Sequence, residues 1–92
     1  GNDIYCDVPL DIIKAIRGTK IRVKTVYNKK VEMKVPPGTR NGKTFRLKGF
    51  GVISKGGTGD QYITINLIRR ANLTDEERQI IEDFDNNGKF RG

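Results

Sequence analysis

Apolar residues fall at every second position in five stretches of the chain, the signature of strands with one buried face. In the first, Ile4, Cys6, Val8 and Leu10 share a face, and the strand is expected to run from Asp3 and stop near Pro9. Ile21, Val23, Val31, Met33 and Val35 alternate with charged residues in the next two, and Tyr27-Asn28-Lys29-Lys30 turns the chain between them in a glycine-free hairpin. Phe45 and Leu47 mark a fourth strand, and Ile63, Ile65 and Leu67 the inward face of a fifth. Between the first two strands, Asp11-Ile12-Ile13-Lys14-Ala15-Ile16-Arg17 follows a helical period, with Asp11 placed to cap it and Gly18 to end it in a left-handed conformation. Five glycines from Gly49 to Gly59 are expected to exclude both helix and regular strand.

The pattern changes at Leu73. Thr74 and Glu77 form a capping box, and Asp75, Glu76 and Glu77 suit the positive end of a helix dipole, so a second helix is expected from about Asp75 to Asp85. Ile80, Ile81 and Phe84 make a narrow apolar stripe on this acidic helix, with Leu73 ahead of it. Asn86-Asn87-Gly88 is expected to end the helix. The resulting expectation is a mainly β chain, a small antiparallel β-sandwich-like domain with one short helix after the first strand and a C-terminal helix. Residues 1–72 form the β-rich domain, 73–86 the helix and 87–92 a flexible tail.

The stretch Gly38-Thr39-Arg40-Asn41-Gly42-Lys43-Thr44 ends like a phosphate-binding loop, whose glycines let backbone N–H groups curl around phosphates. Its spacing is one residue short, and the next residue back is Pro37, which has no N–H. A phosphate loop must also lead into a helix, whereas Thr44 to Lys48 has the strand period. The stretch is therefore read as a connection between two antiparallel strands.

Composition narrows the chemistry. The 92 residues include no histidine and one cysteine, Cys6, which rules out within the chain a Ser-His-Asp triad, a Cys-His pair and a His- or Cys-based zinc site. Neither a catalytic residue nor a cofactor or metal site is expected. A lone cysteine on an apolar face reads as a small buried hydrophobe and fits a reducing compartment. With no long apolar run and no charged-then-apolar leader, the chain is read as soluble; because it starts Gly1-Asn2-Asp3, it is read as a piece of something longer. Residues 1–72 hold fifteen Lys or Arg against five Asp or Glu, a net of +10, and residues 73–92 hold three against six, a net of −3. Arg22, Lys24, Lys34, Arg40, Arg46, Lys48 and Lys55 are assigned to one basic face, read as solvated before acidic proteins or nucleic acid. Tyr5, Tyr27, Phe50 and Tyr62 are scattered in sequence and offer nucleic acid no stacking platform.

The ordered set Gly1-Asn2-Asp3-Ile4-Tyr5, Ala15-Ile16-Arg17-Gly18, Val35-Pro36-Pro37-Gly38-Thr39, Gly42-Lys43-Thr44-Phe45-Arg46-Leu47-Lys48-Gly49-Phe50-Gly51-Val52, Gly59-Asp60 and Leu73-Thr74-Asp75-Glu76 resembles the C-terminal region of the J-protein (DnaJ or Hsp40) co-chaperones. It covers roughly residues 1–84. The resemblance implies the second of two related β-domains plus a dimerisation helix. The chain departs from the family at Gln61, usually leucine, at Arg69-Arg70-Ala71-Asn72, which replace a proline-containing lead-in, and at the hairpin around Asn28. It contains neither a His-Pro-Asp motif nor Cys-x-x-Cys repeats, so it should not itself stimulate an Hsp70 ATPase.

From this resemblance follow unfolded client polypeptides as partners, Hsp70 reached through the full-length protein, a homodimer and a cytoplasmic location. Client is expected against a strand edge at Val8, Ile21, Val23 and Ile63, the same alternating residues that would otherwise be ordinary core. Self-association is expected through Leu73, Ile80, Ile81 and Phe84. The alternative is a basic nucleic-acid-binding β-domain, separable because contacts to six or more phosphates lose roughly a thousandfold in affinity between 50 and 200 mM salt.

Overall fold

The computed structural model describes the backbone of residues 2–91 and the side chains through Asn86. In chain order it runs β1 (Ile4–Asp11), α1 (Ile12–Arg17), β2 (Thr19–Lys24), β3 (Lys30–Val35), β4 (Thr44–Leu47), β5 (Ile53–Ser54), β6 (Gly57–Thr58), β7 (Gln61–Ile68) and α2 (Asp75–Arg91). The chain is mainly β, as its alternation predicts.

β7 lies at the centre of a three-stranded sheet of order β1-β7-β4, and β2 and β3 form a separate ribbon. The inner faces of sheet and ribbon meet in one core of Leu10, Ala15, Val23, Met33, Val35, Ile63 and Ile65. Cys6, Val8, Ile21, Phe45 and Leu47 pack around it half-buried. Burial of side chains of this size stabilises by about 1.5–3 kcal/mol each, which is why the alternating faces fix the two layers.

Several expectations are corrected. The architecture is mixed rather than antiparallel: β1 pairs parallel with β7, from Ile4 beside Gln61 to Asp11 beside Ile68. β1 also passes through Pro9 instead of stopping there, because an edge strand can turn the position lacking an N–H away from the ladder. The stretch from Gly38 to Thr44 joins strands of different sheets, not partners in one ladder. The glycine-rich segment does form a minimal hairpin, β5 with β6. Glycine is needed there by proximity: a Cβ on Gly59 would lie 2.3 Å from the Asn2 carbonyl oxygen.

Local signals at helix ends and turns hold. Asp11 caps α1, its Oδ1 accepting the Ile13 N–H at 2.8 Å, and Gly18 leaves the helix at φ +84°. Asn28 supplies the hairpin with a positive φ of 64°, which its short side chain tolerates. The Thr74–Glu77 box closes reciprocally, with the Thr74 N–H on Glu77 Oε1 at 3.0 Å and the Glu77 N–H on Thr74 Oγ1 at 3.1 Å. α2 continues through Asn86-Asn87-Gly88 to Arg91 rather than ending at Asp85. A glycine adds a cost of about 1 kcal/mol relative to alanine but is no block, and a helix already nucleated extends one bond per residue. The tail expected over 87–92 falls on side chains outside the described residues.

Candidate functional site

Two surfaces carry features that the core does not require. The first is the outer edge of β2. In the ribbon, Thr19 stands opposite Val35, Ile21 opposite Met33 and Val23 opposite Val31. Just past β2, the Thr25 N–H donates to the Lys29 carbonyl at 2.8 Å. Because hydrogen-bonded and non-hydrogen-bonded pairs alternate along an antiparallel ladder, Thr19, Ile21 and Val23 turn their backbone groups to β3, and Lys20, Arg22 and Lys24 turn theirs outward. Among the described residues no strand pairs with that outer edge.

Gln61 links β1 to β2. It is 1% exposed, and its Nε2 lies 3.4 Å from both Cys6 Sγ on β1 and the Lys24 carbonyl oxygen on β2. Its Oε1 is buried with no hydrogen-bond partner among the described residues. Nothing in the alternation marks Gln61 as interior except its position two residues before Ile63.

Of the expected client residues, Val8 and Ile21 are half-buried against the core, whereas Val23 is 6% and Ile63 0% exposed. Val23 and Ile63 therefore serve as core first. The basic residues do not share one face. Arg22, Lys24 and Lys34 line the outside of the ribbon, Arg46 pairs with Asp60, and Arg40 lies over the Phe84 ring with its guanidinium carbon 3.8 Å from the centroid. The tyrosines are not all scattered either: the β1–β7 register sets Tyr5 beside Tyr62, stacked at 5.2 Å on the outer face of the sheet.

The second surface is α2 where it meets α1. Ile81 is buried against Ile12 and Ile13, with Ile16, Leu67, Leu73, Ile80 and Phe84 packed around them. The apolar stripe thus has a place within its own chain, which its sequence alone does not provide. Polar contacts surround this small cluster. Arg70 bridges Asp11, at 2.6 Å, and Glu77. Arg69 meets Asp85 at 3.0 Å, and Arg40 Nη1 donates to the Phe84 carbonyl at 3.0 Å. The Thr74 N–H above all, with Arg70, holds the Glu77 carboxyl below the usual carboxylate range. Arg69 and Arg70, just ahead of α2, therefore clasp it.

The stretch from Gly38 to Lys43 has no N–H groups to spare at its glycines. Gly38 donates to the Ala15 and Ile16 carbonyls, Gly42 to Ile65 at 2.8 Å, and Lys43 to Arg40 at 3.2 Å. Asn41 Oδ1 accepts the Leu67 N–H at 2.8 Å. The segment splices β3 to the sheet and presents Arg40 to α2. Elsewhere, Asp60 anchors the glycine-rich segment: its carboxylate accepts the Gly49 N–H at 2.8 Å and Arg46 Nε at 2.6 Å. The Gly49 N–H first, then Arg46, hold this carboxyl below the usual range against the opposing effect of burial. Among the described residues no helix is long and apolar enough to cross a membrane.

The sheet and ribbon close over one core and lead into a capped C-terminal helix, a β-domain followed by a helix. Residues 1–68 match the DnaJ C terminal domain family, and the chain belongs to that family. It is similar to proteins described as "Chaperone protein DnaJ". That of Bacillus velezensis is 42% identical over 86 residues, covering 91% of this chain and 23% of the relative. That of Bacillus licheniformis is 44% identical over 86 residues with the same coverage, and that of Brucella anthropi 40% over 87, covering 92% and 23%. The chain thus spans under a quarter of the length of these relatives.

Proposed function

We propose that this chain is the client-holding and self-associating C-terminal part of a J-protein co-chaperone, a binding module and not an enzyme, which takes up unfolded polypeptide in the cytoplasm for delivery to Hsp70. The observation that carries the reading is the outer edge of β2. The outward N–H and C=O groups of Lys20 and Arg22 flank the half-buried Ile21, and Val8 on β1 is half-buried against the same core. Pairing backbone to backbone gives affinity without demanding one sequence, which suits a protein that must hold many chains. Val23 and Ile63 form the floor beneath that edge and act through its shape rather than by direct exposure.

α2 brings two such edges together in a homodimer. After packing on α1, Leu73, Ile80 and Phe84 keep part of their surface open while Ile81 anchors the helix from below. In a two-fold pair each of these contacts occurs twice, and two edges on one particle raise avidity without new contacts.

Ile21→Ser combined with Val8→Ser tests the edge. The folded variant should lose its ability to slow aggregation of an unfolded protein, and a folded variant as protective as the parent would remove the reading. Ile80→Glu with Phe84→Glu tests the pair while leaving the buried Ile81 in place. Sedimentation should give a dimeric parent and a folded monomeric variant; a monomeric parent at micromolar concentration would discard the dimer.

A further inference from the structure

We infer that the end of the molecule formed by the β2–β3 turn and the β5–β6 hairpin is a tip that docks on an anionic lipid surface, touching the bilayer without crossing it. Of the six large hydrophobic side chains that stand exposed among the described residues, four belong to these two loops: Val26, Tyr27, Val52 and Ile53. The other two lie apart, Tyr5 against Tyr62 on the sheet and Ile68 at the end of β7. Single exposed apolar residues need no explanation, but a cluster of them marks a contact surface.

The cluster is held in place by its backbone. The Tyr27 hydroxyl donates to the Gly51 carbonyl at 2.9 Å and accepts the Ile53 N–H at 3.0 Å, which ties the two loops together. Within the first loop, the Asn28 N–H donates to the Thr25 carbonyl at 3.1 Å and the Tyr27 N–H to Thr25 Oγ1 at 3.3 Å. In the second, the Val52 N–H donates to the Asn2 carbonyl at 2.8 Å, and the Val52 carbonyl accepts the Gly59 N–H at 3.1 Å. Ile53 is 64% exposed although its backbone is paired with Thr58. Four apolar side chains are thus presented to solvent on an ordered frame, so little backbone entropy is left to lose when they enter a second apolar phase.

Charge names that phase. Residues 24–31 and 48–58 contain Lys24, Lys29, Lys30, Lys48 and Lys55, all exposed, and no Asp or Glu. At the base of the tip the carboxylates of Asp3 and Asp60 are engaged, the first by the Asp60 N–H and the second by the Gly49 N–H and Arg46. Asn2 and Gly59, to which the tip is tied, just precede β1 and β7, whereas Leu67 at the far end of β7 packs against the helix cluster of α2. The acidic first turn of α2 therefore belongs to the other end of an eight-residue strand, about 25 Å away. An anionic bilayer attracts one end of this molecule and repels the other, which sets the orientation. Valine and isoleucine then enter the acyl boundary, the tyrosine ring lies at headgroup level, and the lysines reach lipid phosphates. Nucleic acid would match the charge but leave Val52 and Ile53 in water, and one exposed tyrosine is no stacking platform.

The experiment is flotation of this chain with vesicles of phosphatidylglycerol and phosphatidylcholine, and with vesicles of phosphatidylcholine alone, at low and high salt. The chain has no tryptophan, so Ile53→Trp supplies a single fluorescent reporter. Anionic vesicles should carry the chain and neutral ones should not, binding should weaken as salt rises, and the reporter's emission should shift to the blue on the anionic vesicles. Lys29→Ser with Lys30→Ser and Lys55→Ser should weaken binding about a hundredfold, the scale of three lysines at an anionic surface. Val52→Ser with Ile53→Ser leaves the charge unchanged and should weaken it about tenfold. All five positions are exposed, and circular dichroism checks that both variants keep the parental fold. Equal binding to the two kinds of vesicle would overturn the proposal. So would anionic binding that survived Val52→Ser with Ile53→Ser undiminished, or a reporter whose emission did not move. An oligothymidylate that displaced the chain from anionic vesicles at equal phosphate concentration would overturn it in favour of nucleic acid.

Discussion

The two apolar clusters of this chain are closed in different ways. The larger one draws Leu10, Ala15, Val23, Met33, Val35, Ile63 and Ile65 from β1, α1, β2, β3 and β7, elements spread over most of the sequence. Three of its members are 0% exposed strand residues, Val35, Ile63 and Ile65, so water and salt have little access to it. The smaller one has only Ile12, Ile13 and Ile81 at its centre, and its rim is a set of exposed or half-exposed ion pairs and one cation–π contact. One closure is volumetric and cooperative, the other a greasy contact held in register by charge. The β layers should therefore behave as one unit, and α2 as a separately releasable one.

The largest effect expected from breaking this contrast is at Ile63. Ile63→Ala removes a fully buried side chain from the centre of β7 and should cost about 2–5 kcal/mol, read as a shift of the whole cooperative denaturant transition. Ile81→Ala should act locally instead. Amide exchange of α2 should accelerate strongly while β7 amides keep parental protection. If Ile81→Ala lowered β7 protection as much as Ile63→Ala did, the two clusters would be one.

A smaller effect is expected from Asp60, which belongs to the side of the β layers. Its folded pKa lies below the unfolded value of about 3.9, so its contribution is complete above that value and is lost as pH falls through the folded one. Asp60→Asn should be less stable than the parent at neutral pH, and the gap between the two stability curves should narrow as pH falls below the unfolded value. A gap that stayed constant on acidification would show that the charge is not what stabilises the Gly49 and Arg46 contacts.

The smallest effect belongs to the rim of the helix cluster. Arg40→Ala removes the guanidinium over Phe84 and should weaken α2 docking by about 0.5–1 kcal/mol, measured as faster exchange of α2 amides with no change in the β layers. The parent's α2 protection should also fall with added salt, because the Arg69 and Arg70 pairs are partly open to solvent. Salt-independent protection would assign the docking to Ile81 alone.

The edge of β2 and the clasp of α2 were legible to different degrees. The family resemblance made Val8 and Ile21 candidates, and alternation through Lys20-Ile21-Arg22-Val23-Lys24 identified which side chains face inward. It did not distinguish them from Val23 and Ile63, because periodicity specifies a face and not how deeply that face is covered. Arg40 looked like one more member of a basic face, and only the approach of α2 turns it into a partner for Phe84.

By itself the sequence determined what depends on near neighbours. The five main strands follow from period-two alternation, α1 from Asp11 and Gly18, the start of α2 from Thr74 and Glu77, and the hairpin turn from an asparagine able to take positive φ. The tertiary structure decided which strands meet. β1 lies parallel to β7 across 49 residues of intervening chain, and that pairing carries Pro9 through an edge strand, stacks Tyr5 on Tyr62 and buries Gln61. It also decided that Ile81 packs on α1. Local periodicity is set by the geometry of one backbone segment, whereas partner choice is set by the fit of whole faces, a sum over contacts that no single stretch contains.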